Sequence, residues 1–213
     1  KLVEKRGGKN YYMRGTFTHN NPDFTKDVFH MRDLGFTELS MEPVVCKKDD
    51  PCALTDEDIK TVLNEYEILA REMIKCEKEG KPFTFYHYMI DLTAGPCIYK
   101  RISGCGSGTE YFAVTPAGEL YPCHQFVGEE KFLMGDIYKG VTNKELLDEF
   151  KLTNAYARSE CKDCWAKLYC SGGCAANAYH ATGSIKGVYE EGCTLFKKRI
   201  ECAIAMKACE NEE

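Results

Sequence analysis

The residues best suited by type and spacing to do chemistry are cysteines. Cys161-x2-Cys164-x5-Cys170-x3-Cys174 places four thiols within fourteen residues. The run includes Gly172 and Gly173, whose missing Cβ atoms let a backbone bend closely round an inorganic core. Upstream, Cys105 and Cys123 lie on either side of Gly118, and downstream Cys193 precedes the last apolar stretch. These seven thiols exceed the four ligands of one tetrahedral zinc. Two cubane iron–sulfur clusters take roughly eight thiolates, or seven where one iron is left open or filled from elsewhere. A zinc-ribbon-like site is the alternative, and it leaves several of the thiols without a task.

The whole chain has 13 cysteines in 213 residues. An odd count, no secretory leader and a length that needs no covalent staples favour metal-bound thiolates in a reducing, cytoplasmic setting over a disulfide framework. Cys46, Cys52 and Cys76, and the pair Cys202 and Cys209, read as buried or surface thiols without a ligand role. The net charge of −5 and pI near 5.7 argue against nucleic acid or an anionic membrane as partner. No apolar run approaches the ~20 residues of a membrane span. The first residue is Lys1, so the expectation is a processed chain or part of something longer.

The elements that must carry these thiols are legible in outline. Tyr11–Thr18 and Thr37–Val45 are rich in β-branched and aromatic residues and read as strands. Asn21-Pro22-Asp23 is expected to open a helix ending near Leu34 and Gly35. Thr55, with Asp58 three residues on, predicts a capped helix running to about Glu79. Phe83–Leu92 fits either a strand or a short helix. Strand alternating with helix suggests parallel βαβ units. From Gly95 the chain turns to cysteine, glycine and short segments. Glu110–Val114 and Glu119–Tyr121 flank a Thr-Pro-Ala-Gly turn, a hairpin signal. Lys144–Leu152 predicts a helix capped by Thr142, Cys161–Cys174 a ligand-rich loop, and Thr194–Cys209 a terminal helix. The domain boundary is expected between residues 94 and 95.

The seven cysteines with Gly118 resemble the signature of SPASM domains, C-terminal extensions of radical S-adenosylmethionine enzymes. The resemblance implies two auxiliary [4Fe–4S] clusters. One is held by Cys161, Cys164, Cys170 and Cys193. The other is held by Cys105, Cys123 and Cys174, with Cys97 as a candidate fourth ligand or an iron left open for a substrate thiolate. It also implies that residues 1–94 are the last strands and helices of a partial (β/α)6 barrel, followed by a SPASM domain over 95–213 with a hairpin, short helices and a terminal helix. On the barrel strands, Arg14, Thr16 and Glu42 become candidates for binding S-adenosylmethionine, Arg14 through its fork to the carboxylate. A structural pairing of Arg14 with a strand carboxylate is the other possibility.

Gly95-Pro96-Cys97, Gly104-Cys105-Gly106 and Tyr121-Pro122-Cys123-His124 resemble the SCIFF-peptide maturases, which join cysteine sulfur to carbon in a small cysteine-rich precursor peptide. SPASM enzymes that oxidise a sulfatase side chain have an acid just after the second cysteine. His124 stands there instead, a candidate for proton transfer or a structural imidazole. No Cys-x3-Cys-x2-Cys run for the radical-generating third cluster occurs. The expectation is therefore that an N-terminal half, with S-adenosylmethionine and that cluster, lies outside this chain. An electron donor is then a further partner, and this chain alone would not cleave the cofactor. A non-catalytic electron-transfer or peptide-binding module remains the alternative from another class.

Overall fold

A computed structural model describes residues 1–5, 7, 11–92, 95 and 97–210. Pro96, residues 93–94 at the expected boundary and the Glu212-Glu213 pair lie outside the described residues. The fold is mixed α/β. By contact, one unit comprises Lys1–Val44, Asp49–Ala94 and Thr194–Glu213, and the other Val45–Lys48 and Gly95–Cys193.

In the first unit a short helix α1 (Leu2–Lys5) is followed by β1 (Met13–Phe17), α2 (Thr25–Asp33), β2 (Glu38–Pro43), α3 (Asp56–Lys78) and β3 (Thr84–Phe85). The three strands form a parallel sheet in the order β1-β2-β3, with Met13 opposite Leu39 and Glu38 opposite Thr84. Parallel neighbours need a crossover, which α2 and α3 supply. Side chains alternate across a strand. Phe17, Leu39, Met41 and Phe85 bury into a core with Val28, Val62, Tyr66 and Leu69, while Arg14, Thr16, Ser40 and Glu42 fall on alternate positions.

Two local details explain where these helices begin. Helix α3 starts on a capping box: Asp58 N–H donates to Thr55 Oγ1 at 3.2 Å, and Asp58 Oδ2 accepts from Thr55 N–H at 2.8 Å. Helix α2 begins at Thr25, later than expected. Asn21 Oδ1 is taken by the N–H and hydroxyl of Thr18, both at 2.9 Å, so Asn21 closes a turn ahead of the helix. The ambiguous Phe83–Leu92 stretch becomes the two-residue β3 and a 3-10 turn over Tyr86–Tyr88.

The second unit begins with α4 (Ile98–Ile102) and continues into a four-stranded antiparallel meander of β4 (Ala113–Val114), β5 (Glu119–Tyr121), β6 (Gly135–Asp136) and β7 (Gly140–Val141). The β4–β5 turn closes with Gly118 N–H on Thr115 O at 2.8 Å, Gly118 standing at φ +85°. Helix α5 (Lys144–Leu152) is capped by Asn143, whose Oδ1 accepts from Leu146 N–H at 3.1 Å. Thr142, the expected cap, instead gives its N–H to Met134 O. The expected loop over Cys161–Cys174 contains a short helix α6 (Lys167–Cys170), and α7 (Ala175–Thr182) follows it. Phe126 anchors this core, its ring 4.2 Å from that of Phe132 and 5.7 Å from that of Phe150.

The final helix α8 (Glu190–Glu210) starts four residues before the expected Thr194. From Thr194 onward it packs in the first unit, not with the rest of residues 95–213 as expected. Leu195, Cys202 and Ala203 bury there among Tyr66, Leu69 and Tyr88. Their apolar character is visible in the sequence, but the core that receives them is not. No described helix is long and apolar enough to cross a membrane.

Candidate metal centres

The structure gathers cysteines from distant stretches of the second unit. Cys105 sits between Gly104 and Gly106, at φ +65° and +76°. Cys123 leaves β5 and precedes the 3-10 turn over His124–Phe126. Cys174 precedes α7. These three thiols lie close enough to interact by charge. Burial, then the neighbouring Cys174 and Cys105 thiols, push the Cys123 thiol up, against backbone N–H groups of Gln125 and Phe126 that favour its thiolate. Burial likewise raises Cys174, with Cys105 adding to it, against N–H groups of Asn177 and Ala176. The Tyr111 hydroxyl lies 3.8 Å from Cys105 Sγ. Burial, then Cys105, Cys123 and Cys174, hold Tyr111 protonated.

The second gathering surrounds Arg158, which is 3% exposed. Its Nη1 donates to Gly172 O and its Nη2 to Ile185 O at 2.8 Å, while its Nε has no partner. Burial presses the guanidinium toward neutrality; the thiols of Cys161, Cys170, Cys174 and Cys193 act in the opposite direction. Gly172 is at φ +87°, and a Cβ there would lie 2.6 Å from Arg158 Nη1 and 3.1 Å from the Ala155 backbone. Glycine at this position is what lets the Cys170–Cys174 segment close over the arginine. Cys164 is on the intervening turn, its N–H on Cys161 O at 3.2 Å.

Cys97 is exposed at the start of α4. His124 is exposed, its Nε2 3.1 Å from Gln125 Nε2. Among the described residues no three His, Cys, Asp or Glu side chains converge on one point as a single ion requires. A cubane instead spreads four thiolates over its corners. The residues fit such a group. The donors are soft sulfur atoms, backbone N–H groups face Cys123 and Cys174, and a buried cation lies beside Cys161, Cys170, Cys174 and Cys193.

In the first unit, Thr16 pairs in register with Glu42, and Arg14 with Ser40. Glu42 is the focus of a charged cluster. Its Oε1 is 3.7 Å from Arg14 Nη2 and 3.2 Å from His87 Nε2, and its Oε2 is 3.5 Å from Arg199 Nη1. Arg14 thus makes the structural pairing with a strand carboxylate. His87, which no sequence spacing marked, has a side chain only 7% exposed, and its Nε2 also lies 3.2 Å from Ser40 Oγ. Glu42 favours an imidazolium. Burial outweighs it, helped by Arg199 and Arg14, which compete for the same carboxylate; together they lower the pKa to about 3. His87 is therefore neutral, with its Nε2 within hydrogen-bond reach of the Ser40 hydroxyl. Sequence reading also missed Tyr111 and Arg158. The usable signals were a lone cation three residues before Cys161 and a phenol six residues after Cys105.

The family model of SPASM, an iron–sulfur cluster-binding domain, matches residues 105–165. The chain is 30% identical over 112 residues to an uncharacterized protein of Archaeoglobus fulgidus, a match covering 50% of this chain and 25% of that one. Two solved structures of anSMEcpe share the fold. With bound AdoMet and Kp18Cys peptide, the TM-score is 0.67 at 17% identity, over 99% of this chain and 60% of that one. With AdoMet and Cp18Cys peptide, it is 0.68 at 17%, over 100% and 61%. The chain therefore spans about a quarter of the curated relative and three fifths of the solved structures. It shares the fold of those solved structures over its whole length, and its sequence matches the SPASM model over residues 105–165, which include Cys105, Cys123, Cys161 and Cys164.

Proposed function

We propose that this chain is the auxiliary-cluster part of a radical S-adenosylmethionine enzyme that matures a peptide. One observation supports the reading: thiols far apart in sequence come within electrostatic reach of one another, Cys105, Cys123 and Cys174 round Tyr111, and Cys161, Cys170, Cys174 and Cys193 round Arg158. Cys161, Cys164, Cys170 and Cys193 would hold one [4Fe–4S] cluster. Cys105, Cys123 and Cys174 would hold the other, with Cys97 or a substrate thiolate at its remaining iron. When bound, such clusters supply one-electron acceptors whose potential is set by their surroundings.

This chain's own residues set those surroundings. Tyr111 would donate its O–H to Cys105 Sγ once that sulfur is a ligand thiolate, backbone N–H groups at the start of α7 and of the 3-10 turn face Cys174 and Cys123, and Cys123 packs in the aromatic core around Phe126. The whole enzyme would add S-adenosylmethionine, a third cluster on a Cys-x3-Cys-x2-Cys run and an electron donor. Arg14, Thr16 and Glu42 are the candidate contacts of this chain to the cofactor, and the fragment alone would not cleave it.

The substrate reading is a cysteine-rich precursor peptide receiving a thioether. An S–H and a C–H bond are lost and one S–C bond forms, so the peptide loses two hydrogens. Two bound Cys-peptide complexes of anSMEcpe support a peptide partner. Oxidation of a sulfatase side chain is the second reading, favoured by that shared fold. His124 following Cys123, where those enzymes carry an acid, supports the first. The test is incubation of the complete enzyme with its peptide, S-adenosylmethionine and a reductant. A product lighter by two hydrogens, with one thiol no longer alkylated, is expected. A product that has lost sulfur, or kept every thiol alkylatable, contradicts the thioether reading.

A further inference from the structure

Arg158 presents a problem that the ligand assignment alone does not solve. A guanidinium taken almost wholly out of water is costly unless an opposite charge compensates it. Arg158 is 3% exposed, and among the described residues no carboxylate forms an ion pair with it. Its two terminal nitrogens are satisfied by neutral carbonyls, Gly172 O and Ile185 O. Its Nε is buried and unpartnered. Glu160, two residues away and on the surface, feels its charge only weakly, and the groups that favour its charged form from within the fold are sulfur atoms: Cys161, Cys170 and Cys193, and Cys174 of the other set. Arg158 also lines a cavity of about 40 Å³ together with Cys105, Ser171 and Gly173. A fixed cation therefore stands beside thiols of both proposed ligand sets, held in a fork that the Gly172 turn closes over.

Resting on the cluster reading above, we infer that Arg158 is the buried countercharge of the Cys161–Cys164–Cys170–Cys193 cluster and raises its reduction potential. The physical reason is that reduction adds one negative charge to a centre already rich in thiolate charge. A fixed positive charge in a low-dielectric site stabilises the reduced form more than the oxidised one. Arg158 is a positioning and tuning residue; it touches no substrate. The carbonyl hydrogen bonds fix where the charge sits, and the charge sets the potential. Cys174 belongs to the other set, so the Cys105–Cys123–Cys174 cluster feels the same charge through one ligand and responds less.

The experiment compares the anaerobically reconstituted chain with Arg158→Gln and Arg158→Lys by iron analysis and a redox titration followed by electron paramagnetic resonance. In Arg158→Gln one cluster should titrate at lower potential, with about a tenfold smaller reduced-to-oxidised ratio at fixed solution potential, or about 59 mV for a one-electron couple. Arg158→Lys, which keeps the charge, should stay near wild type. Loss of about half the iron in the Gln variant but not in the Lys variant also supports the inference. Iron-replete variants that both titrate as wild type overturn it. So do Lys and Gln variants that fail alike, because the fork's hydrogen bonds rather than its charge would then matter. A wild-type chain that takes up no iron overturns the cluster reading itself, and the inference with it. An unmoved potential at full iron content overturns the inference alone.

Discussion

The Tyr111 hydroxyl and the Cys105 sulfur stand 3.8 Å apart, and Tyr111 is held in place by its backbone. Its carbonyl accepts the Gly108 N–H at 3.1 Å, and it bridges Ser107. Burial first, and the neighbouring thiols after it, keep the phenol protonated, so it has a proton to offer a ligand thiolate. Hydrogen bonds to ligand sulfur raise the potential of a cluster. Tyr111→Phe should therefore keep full iron content and lower the potential of one cluster, by less than Arg158→Gln lowers the other, because an O–H dipole is weaker than a charge. A titration indistinguishable from wild type would remove Tyr111 from this role.

The thirteen cysteines divide by what surrounds them. Cys170 lies with the Arg158 group and Cys123 with the Tyr111 group. Cys202 is 6% exposed among Tyr66 and Tyr88 in the other unit's core. Cys170→Ala and Cys123→Ala should each cost about half of roughly eight irons. Cys202→Ala should leave iron unchanged and cost about 1 kcal/mol of stability through the small cavity it opens. Iron analysis beside a denaturation curve distinguishes these cases. A ligand variant with full iron, or a Cys202 variant without it, contradicts the division.

Glu42 draws on three cationic or donor groups, of which Arg199 has a side chain only 13% exposed and Arg14 one 67% exposed. Removing the carboxylate strands a buried guanidinium, whereas removing an exposed one forfeits little. Glu42→Gln should cost about 3 kcal/mol and Arg14→Ala less than about 1 kcal/mol. Denaturant unfolding under anaerobic conditions measures both, and equal losses would show that Glu42 is not the centre of the cluster.

His87 tests the electrostatics of the same site. Its pKa is lowered to about 3, below the ordinary histidine value. The folded state then binds fewer protons than the unfolded state between that value and the usual one, and stability falls as pH drops through the window. The groups that face it are Ser40, Glu42, Arg14 and Arg199. Labelled-histidine resonances should show His87 neutral and unmoving between about pH 5 and pH 8. A midpoint near the ordinary histidine value would show that Glu42 outweighs burial.

What could be read in advance follows from the range of each interaction. The strand expected over Tyr11–Thr18 appears, shorter, as Met13–Phe17, and the Thr55–Asp58 box caps its helix as expected; both are local signals. Strands β6 and β7 were missed because two residues each, built on Gly135 and Gly140, carry no period. Helix α7 was missed because cysteines and glycines just ahead of it suggested a loop. The cysteine spacing reads as a candidate ligand set, but the buried cation beside it does not show in the sequence. Arg158 meets Gly172 and Ile185 across 14 and 27 residues, a closeness that only folding creates. The same holds for α8, whose apolar face was evident and whose receiving core was not.

The most direct test of the central claim is metal analysis with an absorption spectrum of the chain after anaerobic reconstitution with iron and sulfide. The account predicts a brown protein absorbing near ~400 nm with about eight irons and as many sulfides per chain. A colourless protein binding about one zinc and no iron would contradict it.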